Sequence, residues 1–153
     1  MDLEIMRHTT AHVMAEAVCR LYEDVRLDIG PATDDGFYYD FDLPRRLSPD
    51  DFQAIEDEMG KIVSEDLPME KLEMSRDDAG KLLREKGQTY KLDRLADIPE
   101  GETITFYRCG DFMDLCRGPH LESTGKVGKF KLTSVAGSYF RGSETNPMLQ
   151  RIY

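Results

Sequence analysis

The chain has 153 residues and a formal net charge of -10, with 20 Lys and Arg against 30 Asp and Glu. Affinity for a phosphate backbone comes mainly from Lys and Arg displacing counterions, so a chain this acidic is excluded as a strong nucleic-acid binder on its own. It contains no apolar run near the roughly 20 residues that cross a bilayer, no basic-then-apolar signal at its start, and only three cysteines, Cys19, Cys109 and Cys116; it therefore reads as a soluble, cytoplasmic protein with free thiols.

A chain of this length can bury about two thirds of its unfolded surface, and one domain over residues 1–153 is expected. The charge is uneven: Gly101 to Tyr153 carries seven basic and five acidic residues, so the net negative charge belongs to the first hundred residues.

From Leu3 to Tyr22 the residues Met6, Val13, Met14, Ala17, Val18 and Leu21 recur at helical spacing and predict an amphipathic helix. At about 100° per residue, His8, His12, Ala15 and Cys19 fall on another side, so the two histidines are expected to avoid the main core. "RLDIGPATDDGFYYDFDL" alternates like a half-buried hairpin turning at "DDG", with Phe37, Tyr39 and Phe41 on one face. In "LSPDDFQAIEDEMGKIV" Ser48 reads as an N-cap, Pro49 as the first helical residue, and Phe52, Ile55, Met59 and Ile62 as the buried stripe. Ser75 caps a shorter helix ending at Gly87. A coil-to-strand segment through Tyr90–Leu92 is expected next, then strands in "TITFYRC" and "KFKLTSV". Gly118 and Pro119 break any helix in "DLCRGPH" and place its chemical residues on a loop or strand end. The mixture predicts an α+β fold with a mainly antiparallel sheet packed against helices.

Three side-chain groups can carry chemistry. His8 and His12 are one helical turn apart, a spacing that offers two imidazoles to one metal or substrate, although on spacing alone solvated or capping histidines are the favoured reading. The metalloprotease motif is excluded, because it needs Glu after the first His and Thr9 stands there. Cys116 and His120 are again four apart, and with the first pair they would make a chemically sound tetrahedral zinc site; a buried thiol and a backbone-bonded loop histidine is the other reading. Asp114, two residues before Cys116, can orient His120 or a water. Lys91 can pair with Asp114 or bind an ester or phosphate oxygen, while its spacing alone suggests a solvent-exposed residue.

Taken in order, "RHTTAHVMAEAV", "IGPATDDGFYYDFD", "GQTYKLD", "DLCRGPHL", "KLTSVAGSYFRG" and "NPMLQRIY" closely resemble the editing domain of bacterial threonyl-tRNA synthetases, a branch of the threonyl/alanyl-tRNA synthetase second additional domain family. The resemblance implies hydrolysis of mischarged seryl-tRNA(Thr), sparing threonyl-tRNA(Thr), as post-transfer editing. It carries the site onto His8, His12, Lys91, Asp114, Cys116 and His120, with Tyr39 and Gly30 near the seryl group. Lys91 and His120 are implied to position water or ester, and the other four to shape the pocket. It implies no required metal, since the threonyl type edits without an obligatory ion, although alanyl-type relatives hold zinc at the positions of His8, His12, Cys116 and His120. It also implies a piece excised from a longer, homodimeric synthetase whose other domains hold the tRNA(Thr). A free-standing trans-editing deacylase and a non-catalytic domain with a structural zinc site are the alternatives.

Overall fold

Residues 2–153 are described in a computed structural model of the chain. The first predicted helix is α1 (Leu3–Leu21), opened by the Asp2 carboxylate, which accepts from the backbone N–H of Glu4 at 2.9 Å and of Ile5 at 3.4 Å. Ten consecutive residues, Thr9 to Val18, are buried, so α1 is enclosed all round and the solvated reading of His12 is overturned. One flank packs on α2 (Phe52–Glu65), whose buried stripe is the predicted Phe52, Ile55, Met59 and Ile62. On the other, Phe112 meets the His12 ring edge-on at 5.0 Å. Small hydroxyl residues let the second flank close: Thr10 returns its hydrogen to the Met6 carbonyl at 2.7 Å, and Thr9 bonds to a distant loop.

The strands form two antiparallel sheets, which refines the expected α+β architecture. One has the order β1 (Arg26–Leu27), β2 (Tyr39–Asp42), β7 (Met148–Ile152), β6 (Val135–Tyr139); the other is β3 (Glu70–Met74), β4 (Ile104–Cys109), β5 (Phe112–Leu115). The predicted hairpin is β1–β2, with Leu27 opposite Phe41 and an outlying bridge from Ala32 to Phe37. Tyr39 and Phe41 are buried and stack at 5.0 Å. Ser48 donates its backbone N–H to Asp51 at 2.9 Å ahead of α2, and the Ser75 hydroxyl accepts from Asp78 N–H at 3.1 Å at the start of α3 (Arg76–Glu85).

Two expected strands are absent. Tyr90–Leu92 lies in a helix, α4 (Thr89–Asp97), because distant partners hold so short a segment helical. The Arg76 guanidinium donates to the Leu95 carbonyl at 2.7 Å and the Ile98 carbonyl at 2.6 Å, and Arg94 pairs with buried Asp28 at 2.8 Å. In "KFKLTSV" only Val135 lies in a strand. Leu132 is buried as its β-pattern implies, but its N–H goes to the Glu56 carboxylate at 3.3 Å instead of a neighbouring strand.

Candidate active site

The site forms where α1, the β1–β2 hairpin, α4 and the end of β5 meet. Asp114 is in β5 and Cys116 one residue past its end, as expected for "DLCRGPH". The chain then turns through Gly118, at φ +77°, and a Cβ there would collide with the Tyr107 ring, so only glycine fits. This tight turn brings His120 back over α1.

Asp114 gathers three elements. Its Oδ1 lies 2.9 Å from Lys91 Nζ of α4, its Oδ2 accepts from the Tyr39 hydroxyl of β2 at 2.8 Å, and His12 Nδ1 of α1 is 3.9 Å away. Lys91 also donates to the Leu115 carbonyl at 3.1 Å. Lys91 is 5 % exposed and Asp114 4 %, so the solvent-exposed reading of Lys91 is overturned and the pairing with Asp114 is realised. The ammonium thus donates to Leu115 and stands as counter-charge to Asp114, with donor capacity left for whatever enters the cleft. Asp114 does not orient His120; that expectation is corrected.

Cys116 forms a second centre. Its Sγ lies 3.4 Å from His8 Nε2 and 3.4 Å from His120 Nε2, and accepts from Gly118 N–H at 3.4 Å. The His8 and His120 rings stack at 4.3 Å, and Tyr107 meets His120 edge-on at 4.6 Å. His8 Nδ1 is 3.3 Å from the Pro119 carbonyl, and His120 Nδ1 is 3.0 Å from the Thr9 hydroxyl.

Burial sets the protonation of the cleft. It lowers His8, holds His12 down to about 4 against the pull of Asp114, and holds His120 down to about 2, with His12 and His8 adding to the effect. The Cys116 thiol is pushed up to about 11 by burial and by the Asp114 charge, and the Tyr39 phenol is raised well above its ordinary value by the same two causes. At neutral pH the cleft therefore presents neutral imidazoles, a thiol and a phenol. A thiol so disfavoured as thiolate is a poor covalent nucleophile.

All eight residues singled out in the sequence, His8, His12, Gly30, Tyr39, Lys91, Asp114, Cys116 and His120, line one cleft of about 310 Å³. A cavity of about 330 Å³ adjoins it, sharing His8 and Pro31. Gly30 is indispensable to the wall, because a Cβ there would drive into the Tyr39 ring. The four-ligand zinc set is not gathered whole. His8, Cys116 and His120 bring donor atoms within 4.8 Å of one another, whereas His12 falls with Glu16 and Cys109 in a second, fully buried group.

Sequence reasoning missed Thr9, Tyr107 and the two carbonyls. Thr9 is fully buried and accepts the Leu121 N–H. A hydroxyl residue in the middle of a helix, beside one chemical histidine, was the available signal.

Comparison with known proteins matches residues 104–153 to the model described as the threonyl and alanyl tRNA synthetase second additional domain. Across nearly the whole chain, threonine--tRNA ligase of Acetivibrio thermocellus is 56 % identical over 147 residues, 96 % of this chain and 23 % of that protein. Residues 104–153 thus match that domain family, and nearly the whole chain is similar to one segment of a threonine--tRNA ligase. The threonine--tRNA ligases of Clostridioides difficile, 55 % identical over 150 residues (98 % of this chain, 24 % of that protein), and Dehalococcoides mccartyi, 57 % over 152 (99 % and 26 %), agree. The chain spans about a quarter of the length of the curated relatives it matches. No helix among the described residues is long and apolar enough to cross a membrane.

Proposed function

We propose that this cleft hydrolyses the ester of seryl-tRNA(Thr) and spares threonyl-tRNA(Thr). The observation that carries the reading is the convergence of all eight residues on one small cleft floored by a buried Lys91–Asp114 pair. The family supports a role tied to tRNA charging, where the chemical need is clear: a synthetic pocket sized for threonine rejects serine, one methyl smaller, by only about 1–3 kcal/mol. A second site must admit serine and refuse the extra methyl. The Gly30–Tyr39 wall suits that task because Tyr39 is fixed by its bond to Asp114 and its stack on Phe41.

In this reading water attacks the ester carbonyl, and the free donor of Lys91 stabilises the oxyanion as it forms. His120, held down to about 2, is too weak a base to take the water's proton and serves to position water or ester. The neighbouring ribose hydroxyl relays the water's proton to the departing ribose oxygen as the ester C–O bond breaks, giving serine and a free tRNA 3′-end. His8, His12, Asp114 and Cys116 shape the pocket. No cofactor is required; a zinc ion would be held by His8, Cys116 and His120, with His12 outside that set. The acidic chain needs the rest of a longer, homodimeric protein to grip tRNA, and it works in the cytoplasm.

The test compares ester hydrolysis of seryl-tRNA(Thr) and threonyl-tRNA(Thr) by the chain at high concentration and by the longer protein that carries it. Serine-selective release, lost in Lys91→Ala, is expected; no serine selectivity in either form sinks the proposal. The metal-donor trio favours one second reading, a structural zinc domain, which predicts stoichiometric zinc and a chelator-induced loss of thermal stability with no hydrolysis.

A further inference from the structure

The wall that Gly30 and Tyr39 form is held from outside the cleft. Asp28 N–H donates to the Asp40 carbonyl at 3.1 Å, Asp40 N–H to the Ile29 carbonyl at 2.9 Å, and Tyr38 N–H to the Pro31 carbonyl at 3.3 Å. These bonds zip residues 28–31 onto residues 38–40 and set the Gly30 backbone against the Tyr39 ring, where a Cβ has no room. Each side of this ladder carries a buried carboxylate gripped by an arginine fork. Asp40 receives Arg151 Nε at 2.8 Å and Nη2 at 3.0 Å, and Asp28 receives Arg94 Nε at 2.8 Å and Nη2 at 3.0 Å. Two parallel bonds fix direction as well as distance, which a single ammonium does not.

The two forks have different anchors. Arg151 stands on β7 directly opposite Asp40, so it ties the sheet to itself. Arg94 stands on α4, three residues after Lys91, and reaches the wall from the helix that supplies the ammonium of the cleft. Residues three apart share one side of a helix, and here one reaches Asp114 at 2.9 Å while the other reaches Asp28 at 2.8 Å. The guanidinium is backed by Phe140, its Cζ 5.0 Å from the ring centroid, and Phe140 packs on Tyr90, the neighbour of Lys91, at 4.9 Å. Neither Arg94 nor Asp28 lines the cleft.

Telling serine from threonine means refusing one methyl, a difference worth roughly 10- to 200-fold in a fitted pocket. That refusal lasts only while the wall keeps its distance from the ammonium that holds the ester, because a wall that gives way makes room for the methyl. Inside the cleft the Tyr39 hydroxyl is tied to Lys91 through Asp114. On the Gly30 side the tie from α4 is the fork of Arg94 on Asp28.

We propose that Arg94 is a positioning residue for specificity: through Asp28 it sets the separation between Lys91 and the Gly30–Tyr39 wall, and with it the refusal of the threonyl ester. It touches no substrate, and its role rests on the ester-hydrolysis reading.

The test measures kcat/KM for seryl-tRNA(Thr) and threonyl-tRNA(Thr) with the chain and with the longer protein that carries it. Arg94→Lys keeps the charge and loses the fork. The serine-to-threonine ratio should fall about tenfold, mainly because threonyl hydrolysis rises. Seryl hydrolysis should stay within about threefold, since Arg76 still holds the end of α4. A residue that only stabilised the fold would lower both rates together, and an unchanged ratio in folded Arg94→Lys overturns the proposal. Phe140→Leu removes the ring behind the guanidinium and leaves both charges, and should lower the ratio about threefold. If Arg94→Lys does not fold, an unchanged ratio in Phe140→Leu overturns the proposal instead. A wild type without serine selectivity sinks the ester-hydrolysis reading and this role together; a selective wild type whose ratio survives Arg94→Lys sinks this role alone.

Discussion

Helices α1 and α4 both deliver side chains to the cleft, and they are held in opposite ways. The first has 19 residues, its own N-cap, and burial on all sides along its middle. The second has 9 residues, no side-chain cap at its start, and is pinned by Arg76 and Arg94 from other parts of the molecule. A helix with enough length and burial fixes its side chains by itself, so the positions of His8, Thr9 and His12 follow from α1 simply existing. Lys91 stands where it does only because the tertiary structure is complete.

That contrast can be broken at Asp114, the group shared by both helices. Asp114→Asn leaves the Lys91 ammonium buried without its counter-charge, and urea unfolding should show a loss of about 3–5 kcal/mol. Next in size, Lys91→Ala should slow hydrolysis of the seryl ester by about 100- to 1,000-fold, the cost of removing one oxyanion donor, measured as single-turnover rate. The α1 side is tested by acid. His12 and His120 have folded values of about 4 and about 2 against 6.5 when unfolded. Above pH 6.5 both are neutral in both states; as pH falls below 6.5 the unfolded chain takes up protons first, so stability declines. Between pH 7 and pH 4 the loss from His12 alone should approach about 3 kcal/mol in urea titrations.

Two smaller substitutions sharpen the difference between the helices. Arg76→Met removes both bonds to the end of α4 and should cost about 2 kcal/mol while also slowing hydrolysis, because Lys91 moves with its helix. Asp2→Ala removes the α1 cap and should cost about 1 kcal/mol with the rate unchanged, because the remaining burial holds α1 in place. Equal effects on rate from these two substitutions would erase the distinction between the helices.

The same contrast explains what was legible in the sequence. The α1 and α2 patterns and the capping residues Ser48 and Ser75 are local signals, and they led to the observed helices. The eight site residues came from motifs that share one cleft. What escaped were features decided by distant partners: α4, whose "TYKLD" carries no cap; the coil at 129–134, where Glu56 takes a backbone N–H; and Thr9, whose partners His120 and Leu121 lie 111 and 112 positions along the chain. Projection onto a helix set His12 apart from the main stripe but did not show that this second face is buried too.

The hydroxyl of Tyr39 reaches Asp114 across 75 positions, and Cys116 reaches His8 across 108. Tyr39 belongs to the four-stranded sheet and Asp114 to the three-stranded one, so this hydrogen bond is a strut between the two. Neither sheet by itself contains the cleft. A chain emerging from the ribosome thus cannot form the full cleft until β7 (Met148–Ile152) has left the exit tunnel and both sheets have docked, so the proposed ester hydrolysis would report a late stage of folding.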